Sequence, residues 1–272
     1  MLCSPEYSRN SWGRNETPGI SIRYPRKCTI QHSMSEKCRH TMLKYAIENS
    51  NNYIKAIQML DELRRKIIGE EFDYPALLEG LRDYGHPRDK ITELLKQGAI
   101  VRVKKGIYIF GNQYRRRPFS REILANMICG PSYISLEYAL HYYGLIPERV
   151  EAVTSVTSSR GRRFSTPVGL FIYHGIPLDA YRIGIDQLEI EAGRSFLIAT
   201  REKALADKIQ ADRGTSIRTQ AEIQTYLLES LRIDPEGLRK LNTDKISLIA
   251  DQYRSRKLRL LEGMLRKLVE KR

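Results

Sequence analysis

An α+β chain in two folded units, the first mostly helical and the second built on an antiparallel sheet, is what the sequence predicts. Three observations predict it. The chain has 272 residues, which at about 150 residues per domain points to two cores of modest size. Three short runs of helical periodicity between residues 51 and 98 are followed at once by two β-rich runs. From residue 120 helices and strands then alternate irregularly up to a purely helical tail.

The elements follow in order. Residues 1–41 carry no apolar periodicity, are rich in Ser, Asn, Arg and Pro, and read as a disordered or mis-started leader, with Met34 or Met42 as alternative starts. Cys28, His32, Cys38 and His40 are zinc-type ligands there without the paired spacing of a finger, so no metal site is expected. From Asn51, Ile54, Ile57, Met59, Leu60, Leu63 and Ile67 recur at helical spacing. Pro75 suits the first turn of a second helix that Leu77, Leu78 and Leu81 bury and Gly85 ends. Pro87 opens a third, with Ile91, Leu94 and Leu95 inward and Gly98 as its stop. Then AIVRVKKGIYIFG gives two strands, 99–103 and 107–110, around a basic Gly106 turn.

Helix, helix, helix and two-stranded wing, over residues 42–112, is the order of a winged helix-turn-helix. In that geometry the third helix enters the major groove and a basic wing touches the backbone. With Ile91, Leu94 and Leu95 facing the core, Arg88, Lys90, Thr92 and Lys96 are the candidates for the DNA side, and Lys104 and Lys105 for phosphate. Arg115, Arg116 and Arg117 follow in a basic linker, 113–119, that reads as an arm for phosphate or minor groove. Charge agrees: the net formal charge is +14, which favours a polyanionic partner, and it is +2 over 41–112 and +3 over 113–125 but −1 over 126–200.

Residues 120–218 read as an α+β unit. Ser120 caps a helix to Ile128, Gly130–Pro131 breaks it, and Ser135 starts another. Strands follow around the Arg160–Arg163 turn, Gly169 and Gly193, with a helix from about Thr200. Glu202, Lys203 and Asp207 read there as solvated i,i+4 neighbours, with Ala204, Leu205 and Ile209 inward. The tail, 219–272, holds helical runs near 219–231, 235–241, 243–254 and 255–270. The stripe Leu258, Leu261, Met264, Leu265, Leu268 and Val269 either packs on the preceding unit or pairs with a second copy.

The pieces LLKQGAIVRVKKGIYIFG, YISLEYALHYYGLIPE, TSVTSSRGRRFSTPVGLFIYHGIP and ATREKALADKI run in one order between about residues 52 and 210, and together they resemble the AbiEi antitoxins. These belong to type IV toxin–antitoxin, abortive-infection systems of phage defence. The resemblance implies a winged-helix autorepressor on promoter double-stranded DNA and a C-terminal antitoxin domain that counters a nucleotidyltransferase-like toxin without a stable complex. It brings forward Tyr133, Ser135, Arg160, Arg162 and Arg163 as the antitoxicity or phosphate-binding surface, with a homodimer suited to inverted repeats. The tail lies beyond the matching pieces.

Nucleotide-binding glycine motifs, HExxH and G-x-S-x-G are absent, and the five histidines have no metal-like spacing. No catalytic residue and no cofactor is therefore expected, the alternative being a C-terminal enzyme, a nuclease or a kinase-like modifier of the toxin. Asp186, Glu189 and Glu191 read as exposed acids of an edge strand. No apolar run reaches the 18 or so residues of a membrane span, and the expected location is cytoplasmic.

Overall fold

A computed structural model gives the architecture of residues 58–270, apart from 192, 213, 215 and 216, and of residues 40 and 44 before them. The leader and its Cys28, His32 and Cys38 lie outside the described residues, as do Ile54 and Ile57. The chain divides by contacts into Met1–Asp61 and Glu62–Arg272. Of the first unit, residues 40, 44 and 58–61 are described, all helical, with His40 and Lys44 exposed. The chain is α+β, with one small antiparallel sheet and one larger mixed sheet.

The second unit begins in helix α1, described over 58–66, and passes into strand β1 (Glu71–Asp73). Helix α2 (Tyr74–Gly80) starts where the Asp73 carboxylate accepts the Ala76 N–H, with Pro75 in the first turn. Helix α3 (Pro87–Lys96) buries Ile91 and Leu94. Strands β2 (Ile100–Lys104) and β3 (Ile107–Phe110) form the hairpin, and the sheet order is β1-β3-β2. Sequence reading misses β1, because three residues, two of them acidic, carry no detectable alternation. Its partner is supplied from far along the chain, Phe72 standing opposite Tyr108 and against Phe110. Gly106 at the hairpin tip has φ +87°, a left-handed conformation that favours glycine, and its carbonyl accepts the Tyr74 N–H at 2.9 Å.

Helix α4 (Arg121–Ile128) is capped by Ser120, whose Oγ accepts the Ile123 N–H. Strand β4 (Ser132–Ile134), helix α5 (Leu136–Tyr142) and strands β5 (Val153–Thr157), β6 (Arg162–Thr166) and β7 (Gly169–Gly175) follow. Then come the short α6 (Leu178–Tyr181), β8 (Ile185–Glu191), β9 (Arg194–Ala199) and α7 (Arg201–Ala211). The six strands order as β6-β7-β5-β4-β9-β8.

The antiparallel expectation needs correction here. β6–β7, β4–β5 and β8–β9 are antiparallel, but β5–β7 and β4–β9 are parallel. The cause is hairpin placement: β6 turns back onto β7 and takes the edge, leaving β7 to pair with β5 in the same direction. Period-two alternation reports which face of a strand is buried, not which strand lies beside it.

The tail is helical: α8 (Gln220–Thr225), continuing as a π-turn through Tyr226–Ser230, then α9 (Pro235–Arg239), α10 (Thr243–Tyr253) and α11 (Arg256–Glu270). Thr219 and Glu222 close a capping box at the start of α8. On α11, Leu258, Leu261, Met264 and Leu265 are buried in the same apolar core as Leu124, Phe171 and Leu205. Of the two readings of that stripe, the structure takes the first: it packs on its own chain.

Residues 113–119, read as a linker, are fastened at Arg116 and at the Ser120 that follows them. Glu71 Oε1 accepts both the Ser120 N–H and Arg194 Nη2, the latter at 2.7 Å, with all three residues buried. Glu70 Oε1 accepts the Arg116 N–H at 3.3 Å and pairs with the buried Arg64 at 2.7 Å. The cause is two adjacent glutamates at the start of β1, Glu70 reaching Arg116 and Glu71 reaching Ser120.

Candidate functional site

The outer face of α3 is formed by residues four apart. Arg88, Thr92 and Lys96 are exposed, opposite buried Ile91 and Leu94; at 3.6 residues per turn they make one continuous stripe. The Thr92 hydroxyl donates back to the Arg88 carbonyl at 3.1 Å. Lys90 lies off this stripe and is half-buried, paired with Glu93 at 2.7 Å.

The wing lysines part company. Lys105 is exposed at the tip beside Gly106, whereas Lys104 turns inward: its Nζ donates to the Ile128 carbonyl at 2.7 Å and lies 4.4 Å from the centre of the Phe164 ring. A register irregularity between Arg102 and Lys104 accompanies the change of face. Lys104, expected as a phosphate contact, is thus a packing residue under the second sheet. Arg102, which sequence reading passed over, is exposed on β2.

The three linker arginines also separate. Arg115 lies half-buried with its guanidinium 5.0 Å from the Phe119 ring centre, and Arg117 pairs with Glu191 at 2.5 Å. Arg116 alone of the three has an exposed side chain.

In the second half the expected surface residues divide between core and solvent. Tyr133 stands on β4 and Ser135 caps α5 without a side-chain capping bond; both are buried. Their hydroxyls converge on Asp207, to which Ser135 Oγ donates at 2.7 Å and Tyr133 OH at 3.1 Å, both onto Oδ2. Lys203 Nζ and Tyr253 OH take Oδ1, each at 2.5 Å. Lys203 and Asp207 are fully buried on α7, which corrects the reading of this pair as solvated. The helix is enclosed on nearly all sides, Glu202 through Asp207 and Ile209 being buried.

Sequence alone could not place Tyr253, which arrives from α10 and is separated from Asp207 by 46 positions. The polar character of Tyr133 and Ser135 without packing work was the one available signal. Beside them Leu136 has φ +60°, a conformation that costs a non-glycine residue about 1–3 kcal/mol and is held by the surrounding packing.

Burial pushes the Lys203 ammonium below the usual lysine range, and Asp207 opposes that shift. Burial first, and Asp207 second, push Tyr133 and Tyr253 well above the usual phenol range. Burial likewise raises Tyr226 and Tyr173, and pushes Tyr143 up to about 12. Unfolded tyrosines ionise near 10, so the folded chain retains phenol protons that the unfolded chain loses above that pH. Their stabilisation is intact below about pH 10 and falls as pH rises beyond it. Lys203 works in the opposite direction between its lowered value and 10.5, one group against several. The urea midpoint is expected to drop between about pH 9.5 and 11.5; a midpoint constant across that interval would contradict the burial of these phenols.

A cavity of about 930 Å³ opens beside the network, reached by Asp207, Gln210, Tyr253 and Lys257 from the helices and by Arg160 and His174 from the sheet side. Arg162 and Arg163 are exposed, successive residues of β6, and so point to opposite faces. The three arginines expected as one surface are placed apart: Arg160 lines the cavity, and Arg162 and Arg163 are exposed on β6. Asp186 and Glu189 are exposed on the edge strand β8. Among the described residues no three His, Cys, Asp or Glu side chains are grouped to hold a metal ion, and no helix is long and apolar enough to cross a membrane. No model of a known family and no curated protein matches the chain.

Proposed function

We propose that this chain is a DNA-binding regulator of the winged-helix type that represses its own promoter, and the antitoxin of a toxin–antitoxin operon. The observation that carries the reading is the exposed stripe Arg88, Thr92 and Lys96 on α3, next to a hairpin tipped by Lys105. The order α1, β1, α2, α3, β2, β3 with sheet order β1-β3-β2 supports it, because it sets a third helix and a wing side by side as groove-reading domains do. The antitoxin half rests on the resemblance to AbiEi proteins. Exposed Arg162 and Arg163 are its candidates for countering a nucleotidyltransferase-like toxin, and a homodimer on inverted repeats would give the repressor its half-site spacing.

The DNA contacts sort by what each side chain is free to do. Arg88 is the base reader: Arg88→Ala is expected to reduce the preference for promoter over scrambled duplex by about 1–3 kcal/mol. Lys105→Ala is expected to weaken binding to both duplexes alike and lower the salt slope by about 0.9. Lys104→Ala, with its ammonium already on Ile128 and Phe164, is expected to leave that slope unchanged. Anisotropy titrations across a salt series check all three. Equal slopes for the two lysine variants, or an Arg88 variant that discriminates as well as the parent, would remove this surface from the interface.

A further inference from the structure

The cavity beside Asp207 has the features of a ligand site that the DNA reading leaves without a role. It lies at the carboxyl ends of the parallel pair β5 and β7, lined by Ser159–Gly161 after β5 and by Gly175–Pro177, which ends β7 and follows it. Crevices outside strand carboxyl ends are where sheets of mixed helix-and-strand proteins commonly hold ligands. The two rim segments touch through backbone: a Cβ on Gly175 would meet the Ser159 carbonyl at 2.5 Å, and one on Gly161 the Tyr173 carbonyl at 2.8 Å. Such a rim is set before any ligand arrives.

Its charge is one-sided. Arg160 has no hydrogen bond or ion pair among the described residues, and Lys257 joins it from α11, with one donor on the Asp212 carbonyl at 3.1 Å and others to spare. The carboxylate that reaches the cavity is that of Asp207, and four donors of the chain already occupy its oxygens. The lining thus offers a ligand the cations Arg160 and Lys257 together with the apolar residues Leu136, Val156 and Ile176. About 930 Å³ is far more than an inorganic anion fills and lies within the range of small-molecule pockets.

We propose that this cavity binds a small organic phosphate of mononucleotide size, its phosphate held by Arg160 and Lys257 and its body laid against Leu136, Val156 and Ile176. Guanidinium recognises phosphate through paired donors in a fixed fork, and Arg160 supplies that fork at the rim.

The test is calorimetric titration of the full chain with adenosine and uridine monophosphates, with inorganic phosphate and uridine as separate probes. Saturable one-to-one binding of at least one nucleotide is expected, with phosphate and nucleoside each at least about tenfold weaker, since neither makes both the charged and the apolar contacts. Arg160→Ala is expected to weaken the nucleotide by about tenfold or more, and Arg239→Ala, exposed on α9 and outside the cavity lining, to leave it unchanged. Absence of saturable binding by either nucleotide, phosphate binding as tightly as nucleotide, or equal losses in the two arginine variants would each overturn the proposal. So would full competition by promoter duplex, which would move the phosphate site to the nucleic-acid surface. The DNA-binding reading stands or falls separately, on α3 and the wing.

Discussion

Asp207→Asn is expected to lower the unfolding free energy by about 3–5 kcal/mol, the usual consequence of removing one partner of a buried ion pair. The substitution preserves volume and removes the charge that Lys203 needs. Lys203 is fully buried, and its remaining polar neighbour, the Tyr253 hydroxyl at 3.2 Å, carries no compensating charge. The amide also cannot accept on both sides, so either the Tyr133 and Ser135 hydroxyls or Lys203 and Tyr253 face an N–H group instead of an acceptor. Lys203→Met in the same background removes the stranded ammonium and is expected to recover part of the loss, a coupling that a double-mutant cycle in urea reads directly. A loss below about 1 kcal/mol for Asp207→Asn would mean that water reaches the pair and that the network is not the core element described above.

Glu71→Ala is the second large effect, again about 3–5 kcal/mol. Glu71 is the acceptor at which β1, the segment before α4, and β9 meet. Its removal takes the nearer counter-ion from the buried Arg194 guanidinium and leaves the Ser120 N–H without its acceptor. The Arg194–Glu191 contact is longer, at 3.4 Å, and Glu191 is shared with Arg117, so it compensates poorly. Hydrogen exchange is expected to quicken at Ser120 and along β1 before it quickens in β5 and β7, because the loss is local to this junction. Uniform acceleration, or a stability change under about 1 kcal/mol, would contradict the assignment of Glu71 as the fastening residue.

What the sequence made legible follows the reach of its signals. Pro75 and Pro87 mark helix starts and Gly106 a hairpin tip by local backbone chemistry, so α2, α3 and the wing could be placed from the residues themselves. The apolar stripe of α11 was equally plain, since Leu258, Leu261 and Leu265 repeat with the helix. Strand partnership was not legible: nothing in Val153–Thr157 or Gly169–Gly175 says that they run side by side in one direction.

Side-chain direction was the other blind spot. Lys104 and Lys105 are adjacent basic residues, and only the register break and the approach of Phe164 from a strand 60 positions later separate their roles. Lys203 and Asp207 look like an ordinary surface i,i+4 pair. Their burial depends on α5, α10 and α11 all packing against α7, contacts made by segments distant in the chain.

The most direct test of the central claim is an anisotropy titration of the full chain against the DNA upstream of its own coding sequence and against a scrambled duplex of equal length, across a salt series. The account expects the upstream duplex to bind at least about a thousandfold more tightly at physiological salt, as specific regulators do, with Arg88→Ala eroding that margin. Equal affinity for the two duplexes, falling steeply and identically with salt, would contradict it and leave only the nonspecific attraction of a basic surface.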